Sequence, residues 1–205
     1  MARIARFFIT GTLLFGLAPS ALAAAPAPVD PSTLTPPPSP AFEWDCTAPE
    51  QRIVCTGIEI ASAVDESPDP ALSCDGTPIL VTFTQVVTAR RTHDADGRVI
   101  RNHLVGTFDE EWRLAGTTGP VLRSRGRWTV DFDYAEPGVT ESRTVTRTGT
   151  TLAVSAPGEG VIFQATGRVQ LNWDQSEILA STGPARDFNE DFEGAIEAAC
   201  EAFGA

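Results

Sequence analysis

Residues 121–134 read Val-Leu-Arg-Ser-Arg-Gly-Arg-Trp-Thr-Val-Asp-Phe-Asp-Tyr. Every second position gives Leu122, Ser124, Gly126, Trp128, Val130, Phe132 and Tyr134. Between them stand Arg123, Arg125, Arg127, Thr129, Asp131 and Asp133. Successive side chains of a strand point to opposite faces, so this pattern is a half-buried strand with a charged outer face. Residues 161–173 repeat it. Val161, Phe163, Ala165, Gly167, Val169, Leu171 and Trp173 fall inward, and Gln164, Thr166, Arg168, Gln170 and Asn172 outward.

Working outward, turn signals separate further runs of the same period. They are Asp94-Ala95-Asp96-Gly97, Thr117-Thr118-Gly119-Pro120, Ala135-Glu136-Pro137-Gly138, Thr148-Gly149-Thr150, Pro157-Gly158-Glu159-Gly160 and Asp174-Gln175-Ser176-Glu177. The reading predicts about eight strands, over 52–64, 78–91, 98–114, 121–134, 139–147, 150–155, 161–173 and 177–181. Short connections between consecutive strands make an antiparallel meander. No crossover helix interrupts it, which disfavours a parallel α/β sheet. The meander either splits into a sandwich or closes on itself. Closure removes exposed edges, and mid-strand Gly106, Gly126 and Gly167 suit the bends it requires. The expectation is an all-β, up-and-down, closed, lipocalin-like barrel over residues 46–205.

One segment breaks the period. Across 189–203, Phe192, Ile196, Ala199, Cys200 and Phe203 share a helical stripe, opposite Glu190, Glu193, Glu197 and Glu201. Asp187 and Glu190 form a capping pair before it. This predicts one amphipathic helix packed on the barrel, its acidic face in solvent or turned to a partner.

The chain has 205 residues, 42% hydrophobic, with a formal charge of −12. Its 15 basic residues are all arginine. A packed core is affordable, and general binding to nucleic acid or anionic membranes, which needs a positive field, is disfavoured. Residues 1–23 carry Arg3 and Arg6, then an uncharged apolar run from Phe7 to Leu17, then Ala21-Leu22-Ala23. That is the layout of a cleaved secretory signal peptide, and the run is shorter than a membrane span. The expected destination is extracellular, with no membrane span after cleavage. Residues 24–45 follow as a leader, with seven prolines by Pro40. They are expected to be extended and solvated.

Cys46, Cys55, Cys74 and Cys200 are an even set in an exported chain. They imply two disulfides, with three pairings open. Cys46–Cys55 and Cys74–Cys200 are expected, the second tying the C-terminal helix to the first barrel strand. A zinc site lacks a Cys-x-x-Cys pair, and only two histidines exist.

The stretch 74–200 resembles a family of uncharacterised, exported β-barrel proteins of high-GC Gram-positive (actinobacterial) bacteria. The resemblance is carried by Cys74-Asp75-Gly76, Asp94-Ala95-Asp96-Gly97-Arg98, Gly106-Thr107-Phe108, Pro157-Gly158-Glu159-Gly160-Val161, Thr166-Gly167-Arg168 and Cys200. The absence of lysine fits a GC-rich coding bias. These motifs are turns and strand glycines, so the resemblance implies a topology and export and no chemistry.

Chemical signatures are few. There is no phosphate loop, dinucleotide fingerprint or Gly-x-Ser-x-Gly elbow. No cofactor is expected. Asp94-Ala95-Asp96-Gly97 has the opening of a calcium loop, but His103 stands where its closing glutamate belongs, so a tight hairpin is expected. His93 and His103 read as surface residues.

Polar residues on inward positions stand out. Asn102 and Glu110 share a face with Ile100, Leu104, Phe108, Trp112 and Leu114, and Gln85 lies between Phe83 and Val87. A carboxyl between Phe108 and Trp112 is expected to be desolvated, its pKa raised. Otherwise it sits near a barrel mouth, or a bulge at Gly106 flips the register and exposes it, or a neighbouring arginine pairs with it.

The leading expectation is a barrel holding one small apolar or amphipathic molecule. Trp112, Trp128, Phe132, Phe163 and Trp173 would form the wall, and Asn102, Glu110 and Gln85 would orient the ligand. The alternative is a non-enzymatic envelope or extracellular interaction module with an exposed apolar patch. A third reading is a cofactor-free barrel enzyme.

Overall fold

The period-two runs are strands in the computed structural model, which describes residues 25–49, 51–66, 72–184 and 188–205. The signal peptide and the Asp187 cap lie outside the described residues. Among the described residues ten strands precede one α-helix. They are β1 Ala27–Pro28, β2 Glu43–Ala48, β3 Ile53–Glu66, β4 Ser73–Cys74, β5 Thr77–His93, β6 Val99–Leu114, β7 Leu122–Tyr134, β8 Arg143–Ala156, β9 Gly160–Leu171 and β10 Ile178–Thr182, then α1 Phe188–Phe203. The sheet runs β1-β2-β3-β5-β6-β7-β8-β9-β10, with β4 paired to β5 alone. Neighbours are antiparallel throughout. The described strands do not close into a ring of hydrogen bonds.

Two expected strands are one. The stretch Thr148-Gly149-Thr150 is not a turn: β8 passes through it, with Thr148, Gly149 and Thr150 opposite Arg168, Gly167 and Thr166. Both ladders of β8 slip just beyond this point, opposite Arg125–Arg127 of β7 and between Thr150 and Leu152 of β8 itself. Gly149 has φ +115°, and a Cβ there would fall 2.5 Å from the carbonyl oxygen of Arg127. Glycine therefore serves a bulge that bends a long strand.

The leader differs from expectation too. Residues 27–48 contribute β1, a 3-10 turn at Pro31–Thr33 and β2. Leu34 is 2% exposed, in a small core with Cys46 and Cys55. Thr35 bonds through its backbone to Gly97 and Val99, and Arg91 donates to the Pro36 carbonyl at 3.0 Å. Prolines do not prevent docking when the chain between them supplies an apolar anchor and backbone donors.

The main core lies where the sheet's inner face meets α1. Ile79, Val81, Trp112, Leu122 and Val154 from the strands pack with Ala195 and Ala199, both fully buried. These alanines, four apart on one helix face, let the backbone sit close to the sheet. The helix contacts β4, β8 and β9, so it spans from the start of β5 to the far side of the sheet. Glu193, Glu197 and Glu201 face solvent. The disulfides are Cys46–Cys55, directly opposite on β2 and β3, and Cys74–Cys200, which fastens β4 to α1. Two disulfides fit an oxidising, extracellular setting.

Candidate functional site

Cross-strand pairing fixes which residues share the inner face. Gln85 stands opposite Phe108, and Phe108 opposite Gly126. Gly106 stands opposite Trp128, and Glu110 opposite Ser124. The rings do not stand upright on the sheet. A Cβ on Gly106 would meet three atoms of the Trp128 ring at 2.2–2.7 Å, and one on Gly126 would meet the Phe108 ring at 2.2 Å. Each ring thus lies over the glycine backbone of the neighbouring strand. The bare backbone admits the ring where a side chain would exclude it.

Both rings line a cavity of about 340 Å³, within the range of small-molecule sites. Phe108, Trp128 and Val130 form its floor, and Trp112 and Leu152 flank it. Phe192 of α1 reaches it, and Gln85, Glu110, Arg147 and Thr151 supply the polar groups.

Glu110 is the acid of this lining, and it is half-buried. The indole Nε1–H of Trp112 donates to its Oε2 at 2.8 Å. Burial is the main influence on this carboxyl and raises its pKa; the Trp112 hydrogen bond and then the nearby Ser124 hydroxyl pull the other way, and neighbouring Asp109 adds to the rise. No bulge at Gly106 breaks the β6–β7 register, and no arginine or histidine pairs with Glu110 among the described residues. Arg147 donates to the Gln175 side chain near the other end of the cavity.

Of the expected wall, the fold brings Trp112, Trp128, Glu110 and Gln85 together. The remaining four lie elsewhere. Phe132 is four residues beyond Trp128, about 13 Å along the strand, in a separate small core under the Arg143 guanidinium. Phe163 packs in the main core against Gly194 of α1. Trp173 is 40% exposed, because β9 ends at Leu171 and the alternation ends with it. Asn102 sits opposite Phe132 and Arg91, its Oδ1 buried without a partner among the described residues.

Several lining residues escaped the sequence reading. Phe108 and Val130 have the inward parity and were there to be chosen. Arg147 was hidden by the false turn at 148–150. Phe192 comes from the helix, whose docking angle no strand pattern encodes.

A second buried polar group lies on the same face toward the leader. His93, expected at the surface, is 0% exposed, because β5 continues to it with inward parity through Val87, Ala89 and Arg91. Among the described residues no hydrogen bond of good geometry reaches either ring nitrogen, although the Ile53 backbone lies near enough to influence it. Its pKa falls to about 4, through burial and then the positive charge of Arg91. Burial also lowers the pKa of Arg91, which is 5% exposed. His103 does face outward, its Nδ1 2.9 Å from Asp131. The Asp94–Gly97 turn is a hairpin, with Asp94 accepting from the backbone of Asp96 and Arg98. No group of three His, Cys, Asp or Glu among the described residues is placed to hold a metal ion.

No protein family, curated protein or solved structure matches the chain.

Proposed function

We propose that this is an exported protein that binds one small amphipathic molecule inside its curved sheet. The observation that carries the reading is the cavity between the Phe108–Trp128 floor and Phe192 of α1, apolar over most of its wall with Glu110 at one end. Convergent apolar walls with a few fixed polar groups are how ligand pockets are built. In this reading α1 stands where strand pairing would close a barrel, and its disulfide keeps the lid seated. Export is supported by the disulfides and the N-terminal signal pattern, and the exported actinobacterial family is the proposed kinship.

Paired native and denatured mass spectra of the protein secreted by its own host test this. A discrete mass released on denaturation, absent from a Leu152→Trp variant whose indole fills the cavity, is the expected result. A ligand-free native mass, with no quenching of tryptophan fluorescence by any amphiphile tried, would sink it.

The second reading, an interaction module, has one observation in its favour. Ile60 and Val64 are 72% and 73% exposed on the outer side of β3, near Ile58 and Val86. An apolar surface of this kind marks contact sites. Pull-downs that lose their catch with Ile60→Ser but keep it with Leu152→Trp would favour that reading.

A further inference from the structure

We propose that the cavity selects an organic cation, a protonated amine or quaternary ammonium carried on an apolar body, with Glu110 as its counter-charge. This rests on the binding reading above and deepens it. Acids outside the cavity pair with arginines: Asp94 with Arg98 in the β5–β6 turn, and on the outer face Asp109 with Arg125, Glu111 with Arg113 and Asp131 with Arg101. Glu110 is more withdrawn from water than these, yet the polar side chains nearest it, Trp112 and Ser124, are neutral, and the one charged neighbour acting on it, Asp109, is another acid. A carboxylate removed from water needs an opposite charge or gives up its own. A bound cation supplies the first.

The walls suit the same guest. Phe108, Trp112 and Trp128 all line the cavity, and the Phe108 and Trp128 rings are seated against glycine backbone on the neighbouring strands. Ring faces carry the negative end of the aromatic quadrupole and attract cations, indole most strongly. The chain's net charge of −12 raises the local concentration of cations. Arg147 also lines the cavity, but its side chain is engaged by Gln175, and it enters opposite Val130, whereas Glu110 enters opposite Ser124, six residues along β7. The positive end of a ligand therefore belongs at Glu110 and its tail toward Val130.

Three probes with one chain length separate the terms: decyltrimethylammonium, decanoate and 1-decanol. Each is titrated below its aggregation limit, with tryptophan quenching and calorimetry as readouts. Decyltrimethylammonium is expected to bind about tenfold or more tighter than either other probe. Glu110→Gln is expected to remove that advantage while leaving 1-decanol within about threefold. Tighter binding of decanoate would overturn the inference in favour of head-group recognition by Arg147. Equal affinities, or a Glu110→Gln variant that keeps the preference, would overturn it too, and in each of these cases ligand binding itself survives. If none of the three binds, the binding reading falls and takes the inference with it. If Glu110→Gln does not fold, the order of affinities in the unmodified protein decides alone.

Discussion

The indole of Trp128 lies over the backbone of Gly106, its direct partner on the neighbouring strand, so close that a single methyl on Gly106 would fall 2.2 Å from a ring carbon. Phe108 and Gly126, the next inward pair of the ladder, repeat the arrangement with the strands exchanged. Two glycines thus set the attitude of two rings, and the rings set the depth of the cavity. Gly106→Ala is expected to push the indole off the strand and into the cavity. Overpacking of this kind costs about 1–3 kcal/mol, which for a chain of this length is a fall in Tm of roughly 2–12 °C. Thermal unfolding with tryptophan emission as the second readout checks it. An unchanged Tm with an unchanged emission maximum would show that the ring is not held by the glycine.

The disulfides should differ in worth because their loops differ. Cys74 and Cys200 are 126 residues apart, Cys46 and Cys55 nine. In the chain-entropy account these loops are worth about 5 and about 2.5 kcal/mol. Replacing Cys74 and Cys200 together by serine is expected to lower Tm roughly twice as far as replacing Cys46 and Cys55. It should also free α1, read as faster hydrogen exchange across 190–203. Equal losses from the two pairs would mean that the helix is seated by its apolar face alone.

How far the sequence reaches can be seen in β7 and its neighbours. Leu122, Ser124, Trp128, Val130 and Phe132 alternate cleanly, and the fold puts them on the inner face as the period requires. Parity tells which face a residue occupies and says nothing of how far along the strand a cavity extends. Trp128 and Phe132 share parity, yet one lines the cavity and the other packs in a separate core. The glycines had a second meaning that bending did not exhaust. A glycine directly across from an aromatic is a seat for the ring, and Gly106 with Trp128 shows the register that reveals it. Gly149 misled in the opposite way, since a turn and a bulge ask for the same residue. Phe192 and Leu34 were beyond reach because helix docking and leader docking depend on surfaces that form only after the sheet does.

The docking of the leader is itself testable. Leu34 is buried beside the Cys46–Cys55 bridge, and Thr35 is bonded to both Gly97 and Val99. Leu34→Ala is expected to cost about 2–5 kcal/mol if the leader and sheet unfold together. If the leader opens separately, the same substitution shows as a new proteolytic cut before Cys46 with the remaining protein intact. Limited proteolysis followed by mass measurement distinguishes the two. A variant as stable and as resistant as the parent would mean that the leader contributes nothing to the fold.

The pH dependence of stability should carry the mark of His93. An unstrained histidine takes up its proton near 6.5, and in the fold His93 does so at about 4. Between those values the unfolded chain binds more protons than the folded one, so stability rises with pH across the window. The contribution is complete above about pH 6.5 and is lost as pH falls through 4, with a total on the order of 3 kcal/mol. Burial drives it, Arg91 at its side reinforces it, and the backbone of Ile53 and the charge of Asp94 oppose it. Glu110 works in the other direction, since its raised pKa makes the unfolded chain the poorer proton binder above about 4.5. The two are separated by substitution. Urea unfolding from pH 4 to 7.5 on the parent and on His93→Leu should give curves that converge at the acid end, once any constant offset is removed, and diverge toward neutrality. Parallel curves over the whole range would show that His93 is hydrated in the folded protein, and that the inner face beneath the leader is open to water.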